Sequence, residues 1–196
     1  MTINHTPEYD SVYYAYFEPY SWERHLALLD NAQLSPLVKQ IDLGSTIDGR
    51  DLNMLVIGDP EAEQKVWVIA RQHPGETMAE WFVEGMVEAL LDAANPYARQ
   101  CLQDACFYIV PNMNPDGSVR GNLRTNAAGA NLNREWNEPT MERSPEVFLV
   151  KEKMKEIGCD LFLDVHGDEG LPYVFVAGSD ALPNFTCLPG DGPHLR

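Results

Sequence analysis

At 196 residues, 44% apolar and 22% charged, the chain has the length for one domain with a buried core and too little for two. Its formal charge of −16, from 30 acidic and 14 basic side chains, excludes nucleic acid as an expected partner, because phosphates demand clustered Lys and Arg. No apolar stretch is long enough to span a bilayer, and no basic head with an apolar core opens the chain, so no membrane partner is expected and the expected compartment is the cytoplasm.

Taken in chain order, Val12–Phe17 reads as a strand. Ser21 is placed to cap a helix running to about Ala32, with Glu23 in its favourable first turn. Leu37–Leu43 and Leu52–Ile57 read as strands joined by a hairpin turn at Asp48-Gly49. A strand at 66–70, a helix at 77–92 and a strand at Phe107–Val110 follow. A long polar segment then runs from Asn112 to about Glu142. Ser144 and Pro145 open a further helix that stops at Gly158. Strands at 160–165 and Tyr173–Val176 complete the pattern. Strands alternating with helices indicate an α/β domain whose mixed central β-sheet is flanked by helices.

The chemistry concentrates at strand ends. His73-Pro74-Gly75-Glu76 follows an apolar run and precedes a helix, so its imidazole and carboxylate can face one ion. Zinc takes this donor set, commonly as two His and one Glu with a position left for water. His166, in Asp164-Val165-His166-Gly167, closes another apolar run and offers the third ligand. Ligands in α/β folds gather beyond the carboxyl ends of strands, where His73, Asn112–Pro115 and His166 all fall.

The 112–142 segment is long for a structureless loop. Asn114-Pro115-Asp116-Gly117 within it is equally well explained as simple turn chemistry. An acidic substrate would require a local positive site against the overall field, and Arg71, Arg120, Arg124 and Arg134 are the candidates. Arg124 and the Asn133-Arg134 pair, beside a metal motif, suit an anionic group. The four cysteines show no Cys-x-x-Cys spacing and are expected to be free, buried thiols. His5, His25 and His194 are expected at the surface, and the four tryptophans in core or rim packing.

Five motifs, His73-Pro74-Gly75-Glu76, Asn114-Pro115-Asp116-Gly117, Gly121-Asn122-Leu123-Arg124, Asn131-Leu132-Asn133-Arg134 and Asp164-Val165-His166-Gly167-Asp168-Glu169, together resemble the zinc metallocarboxypeptidases, in particular the bacterial form of the cytosolic carboxypeptidases. The resemblance implies one Zn²⁺ held by His73, Glu76 and His166. It makes Arg124 the residue that polarises the scissile carbonyl, and Asn133 with Arg134 the grip on a peptide's terminal carboxylate. A peptide or protein C-terminus is the implied partner. Residues 1–18 are then expected to be the end of a preceding β-sandwich domain or a linker, and 19–196 a partial catalytic domain.

The chain departs from the family pattern at two places. Asn131 stands where many relatives have an aspartate that orients a zinc-bound histidine; its amide can accept the same hydrogen bond without the charge, so either metal affinity is lower or Asp164 or Asp168 supplies that charge. The family's general base is a glutamate well downstream of the second histidine, and here Glu169 is the single glutamate after His166; Tyr173 is likewise the single tyrosine left for the residue that closes over substrate. Two other readings stay open: a zinc- and carboxylate-binding protein without turnover, and a zinc amidohydrolase of the aspartoacylase type.

Overall fold

The computed structural model of the chain describes residues 4–171 and 173–178. Five strands, β1 (Val38–Ser45), β2 (Asp51–Ile57), β3 (Gln64–Ala70), β4 (Ala105–Val110) and β5 (Leu161–Val165), form one sheet in the order β1-β2-β4-β3-β5. β1, β2 and β4 pair antiparallel, whereas β3 runs parallel to both β4 and β5. The α/β fold with a mixed central sheet is the one expected.

Alternation along the strands divides the core into two layers. Leu55, Ile57, Val66, Val68 and Ile109 face α1 (Trp22–Ala32) and α2 (Met78–Leu91), through Leu28, Leu29, Val83 and Val87. Met54, Trp67, Ile69 and Tyr108 face the other way, onto Met113, Leu132 and the residues Val147 and Val150 of α5 (Pro145–Ile157). The β3–β4 crossover therefore carries α2 on one face, and the β4–β5 crossover carries α5 on the other. Moving outward from β3 in both directions puts a switch point at the carboxyl ends of β3, β4 and β5, where a crevice opens.

Local signals explain most boundaries. Ser21 Oγ accepts from Arg24 N and starts α1. Gly49, at φ 78°, lets the β1–β2 hairpin turn where Asp48-Gly49 places it. Two helices were not expected: α3 (Pro96–Asp104) and α4 (Pro115–Arg120). Both begin Asn-Pro, with the asparagine side chain accepting from backbone N–H groups and proline in the first turn. The 112–117 stretch is thus a capped helix start instead of an isolated turn.

Other expectations are corrected. Val12–Phe17 forms no strand; Tyr13, Tyr14 and Tyr16 stand exposed, and a segment with neither a ladder nor a buried face has nothing to hold it extended in a sheet. Tyr173–Val176 joins no strand either and is exposed throughout. Ser144 occupies the cap position of α5, but its hydroxyl is buried without a partner among the described residues. Cys106 is buried as expected, Cys101 and Cys159 are exposed, and Cys187 and His194 lie outside the described residues. No helix among the described residues is long and apolar enough to cross a membrane.

Candidate metal centre and anion clamp

Residues 71–77 connect β3 to α2 and carry His73 and Glu76. The turn closes with Glu76 N donating to His73 O (3.0 Å). Arg71 enters it at φ 57°, a left-handed conformation that costs a non-glycine residue about 1–3 kcal/mol and needs support from its surroundings. The support is visible. Arg71 donates from Nε to Pro74 O (2.9 Å), and from Nη1 to Tyr20 O (3.0 Å) and Glu80 Oε2 (2.5 Å). Glu80, wholly buried, also accepts from Asn112 Nδ2 (3.2 Å) and lies 2.6 Å from His25 Nδ1. His25 is therefore buried against this carboxylate and is not the surface residue expected.

The turn interlocks with the loops that follow β4. Gly75 N donates to Leu123 O (2.9 Å), and a Cβ on Gly75 would stand 2.9 Å from that oxygen. At Gly117 a Cβ would meet Pro74 Cγ at 2.4 Å and Thr125 O at 2.6 Å. Glycine at both places allows the metal motif and the Arg124 loop to touch.

His73, Glu76 and His166 come together as expected, with their ligand atoms all within 4.8 Å of one another. Glu76 spans the two rings: Oε1 lies 2.8 Å from His73 Nδ1, and Oε2 lies 2.8 Å from His166 Nδ1. The outer nitrogens face acceptors. His73 Nε2 is 3.1 Å from Asn131 Oδ1, an oxygen identified as such because it also accepts from Asn133 N. His166 Nε2 is 2.8 Å from Asp164 Oδ2. An ion taken up at Nδ1 of each ring would leave the outer N–H of each for these oxygens, the arrangement that supports a metal-bound imidazole. Asn131 does hold His73, and the carboxylate among the expected substitutes, Asp164, serves the other histidine.

Electrostatics agree with this donor set. Burial pushes the Glu76 carboxyl up, but the hydrogen bonds from His166 and His73 outweigh it and hold the group at about 2. Asp164, and then Glu76, raise His166 to about 9. Ligands ~2.1 Å from one zinc lie no more than ~4.2 Å apart, so the two nitrogens and one oxygen fit the ion after small side-chain rotations, and uptake near neutral pH would displace the His166 proton.

Of the four candidate arginines, two are already committed: Arg71 to Glu80, and Arg120 to Asp48 (2.5 Å). Arg124 and Arg134 are exposed, and neither pairs with a carboxylate among the described residues. Arg124 Nη1 lies 3.1 Å from both ring nitrogens of His73, which puts its charge against the metal triad. Its loop is held by Asn126, whose Oδ1 accepts from Ala128 N and Ala130 N and whose Nδ2 donates to Arg143 O and Glu146 Oε2. Asn133 and Arg134 lie on a short 3₁₀ turn, Leu132–Arg134, anchored by buried Leu132 and capped by Asn131. Glu169 is exposed and lines a cleft of about 530 Å³ with Phe17, Pro74 and Leu123, a cleft that includes none of the three ligand residues.

Two imidazoles and a carboxylate thus converge at the switch point of an α/β sheet, with the Arg124 guanidinium against one of the rings. The zinc carboxypeptidase family matches residues 25–177, and the chain belongs to that family. It is 52% identical over 184 residues to an uncharacterised protein of Zymomonas mobilis, covering 94% of this chain and 48% of that protein. Cytosolic carboxypeptidase 1 of Danio rerio is 31% identical over 200 residues, covering 91% of this chain and 17% of the relative. The crystal structure of a metallo-carboxypeptidase from Burkholderia cenocepacia superposes with a TM-score of 0.88 at 61% identity, over 93% of this chain and 50% of that one. The chain thus spans about half the length of the Zymomonas and Burkholderia relatives.

Proposed function

We propose that the chain provides the metal- and carboxylate-binding part of a zinc-dependent metallocarboxypeptidase that hydrolyses the C-terminal residue of peptides or proteins. One observation carries the reading: the His73, Glu76 and His166 ligand atoms converge with the Arg124 guanidinium against His73, and no carboxylate among the described residues pairs with that guanidinium. In a protein of charge −16 such a cation is unexpected unless an anion is to be bound.

Zinc held by the triad supplies Lewis acidity and lowers the pKa of a water in its coordination sphere towards ~7. Arg124, already against His73, stabilises negative charge as it develops on the scissile carbonyl oxygen, a charge complete only at the transition state. Arg134 and the Asn133 amide hold the terminal carboxylate in one plane, so substrates with a free C-terminus are selected by geometry. A general base must stand within hydrogen-bond reach of the water it activates. Glu169 faces a different cleft, so that role is not assigned to it. In this reading residues 19–196 are part of a catalytic domain, and 1–18 are the end of a preceding β-sandwich domain or a linker. A cytoplasmic location is supported by relatives named cytosolic carboxypeptidases.

Metal analysis and a panel of peptides with free and amidated C-termini test the reading. One zinc per chain, lost in His73→Ala, with binding or cleavage confined to free C-termini, is the expected result. Absence of stoichiometric metal, or undiminished metal in His73→Ala, overturns it.

A further inference from the structure

Two side chains outside the five motifs sit between the carboxylate grip and the second histidine. Gln72 precedes His73 and is wholly buried. Its amide is engaged at both ends: Trp136 Nε1 donates to Oε1 (2.8 Å), and Nε2 donates to Asp164 Oδ2 (2.7 Å). An indole N–H can only donate, so the tryptophan determines which end of the amide faces Asp164. The same Asp164 oxygen accepts from His166 Nε2, while Asp164 Oδ1 is buried without a partner among the described residues. Gln72 is thus the group that steers this carboxylate.

Trp136 is itself held from two directions. Its carbonyl accepts from Lys151 Nζ of α5 (2.5 Å), and its ring stands edge-on to Phe162 of β5 with centroids 5.9 Å apart. The segment 131–136 is consequently tied at each end to the outer nitrogen of a different ligand histidine. Asn131 reaches His73 directly, and Trp136 reaches His166 through Gln72 and Asp164. Asn133 and Arg134 lie between the two ties.

We propose that Gln72 and Trp136 are positioning residues that act in series through Asp164, holding His166 for the metal and the Asn133–Arg134 segment in register with it. The proposal rests on the zinc reading above. Loss of the indole donor leaves Gln72 Oε1 buried and unsatisfied, and a flipped amide would set an oxygen against the Asp164 carboxylate. His166 would then lose the acceptor that orients its ring, and such outer partners typically change metal affinity by about 10–100-fold.

The test is zinc affinity of the intact chain by competition with a chromophoric chelator, with the absorption of the cobalt(II)-loaded protein and the melting temperature of the metal-free protein read alongside. Gln72→Met keeps the length of the side chain and removes both hydrogen bonds; Trp136→Phe removes the N–H donor together with part of the ring, and leaves Gln72 and Asp164 in place. Gln72→Met is expected to bind zinc about 10–100-fold more weakly, with altered cobalt bands, and Trp136→Phe to show a smaller loss of the same kind. The double variant should be no weaker than Gln72→Met, as residues acting through one another require. Wild-type zinc affinity in folded Gln72→Met overturns the proposal, as do losses that multiply in the double variant. Should Gln72→Met fail to fold, unchanged zinc affinity in Trp136→Phe overturns it instead. Wild-type protein that takes up no zinc overturns the metal-centre reading itself, and with it this one, and is told apart by the wild-type measurement.

Discussion

The two histidines of the proposed metal centre are held to different degrees. His73 leaves β3, a strand paired on both sides, and its turn is backed by the buried Arg71–Glu80–His25 cluster and by contacts with the Arg124 loop. His166 leaves β5, which ends the sheet among the described residues, and Leu161 and Phe162 on that strand are 50% and 39% exposed. Its orientation depends on Glu76 and on the single carboxylate of Asp164. A turn that must hold Arg71 in a strained conformation requires several independent supports. A histidine on a short extended strand needs only an acceptor behind its ring. The centre therefore joins a rigid half to a compliant one.

The largest expected effect comes from removing the support of the rigid half. Glu80→Ala leaves the Arg71 guanidinium buried without its counter-charge and deprives Asn112 of an acceptor. Breaking a buried pair in this way costs about 3–5 kcal/mol. Urea unfolding of the metal-free protein measures it. A loss below about 1 kcal/mol would show that the cluster is not what holds the His73 turn, and the contrast between the two histidines would collapse.

A pH-dependent effect of intermediate size lies beneath the Arg124 loop. Glu146 is wholly buried, accepts from Asn126 through Oε2, and has no partner at Oε1 among the described residues. Burial pushes its carboxyl from 4.5 up to about 7. Between those two values the folded chain binds the proton that the unfolded chain has released. The contribution of Glu146 to stability therefore falls as pH rises through this window, by up to about 3 kcal/mol, and is constant below and above it. Glu146→Gln should remove the dependence, so that the variant gains on the wild type between pH 5 and pH 8 in urea unfolding. An unchanged difference between the two proteins across that range would mean that Glu146 ionises in the fold without penalty.

How much of this was legible in the sequence follows the range of the interactions. His73 and Glu76 share one short turn at a strand end, and His166 ends another strand, so spacing and ligand chemistry suffice to find them. The starts of α3 and α4 were equally local, since Asn95-Pro96 and Asn114-Pro115 are a cap followed by a first-turn proline, but Asp-Gly in the second case favoured a turn. Burial of His25 also had a signal: His25, Leu28, Leu29 and Ala32 follow the i, i+3, i+4, i+7 spacing of a buried helix face. The pairing of Glu80 with His25 and the Trp136–Gln72–Asp164 chain had none. Their partners lie 55, 64 and 92 residues apart: the first pair joins α1 to α2, and Gln72 meets Asp164 because β3 and β5 run side by side.

The smallest expected effect probes the compliant half. Leu161 pairs with Val66 across the β3–β5 ladder, yet Leu161 is half exposed and Val66 is buried. Leu161→Lys should change stability by no more than about 0.5 kcal/mol, the ordinary range for an exposed position. It should also reduce self-association, because β5 is an edge strand among the described residues and a charge on such an edge discourages pairing with another chain. Val66→Lys at the facing position should prevent stable folding, since the ammonium would enter the apolar layer beneath α2. The pair of variants measures how sharply the sheet passes from rigid to compliant within one ladder step. A loss of several kcal/mol in Leu161→Lys would show that the outer edge of β5 is covered in the folded protein, and that His166 stands on ground as firm as His73.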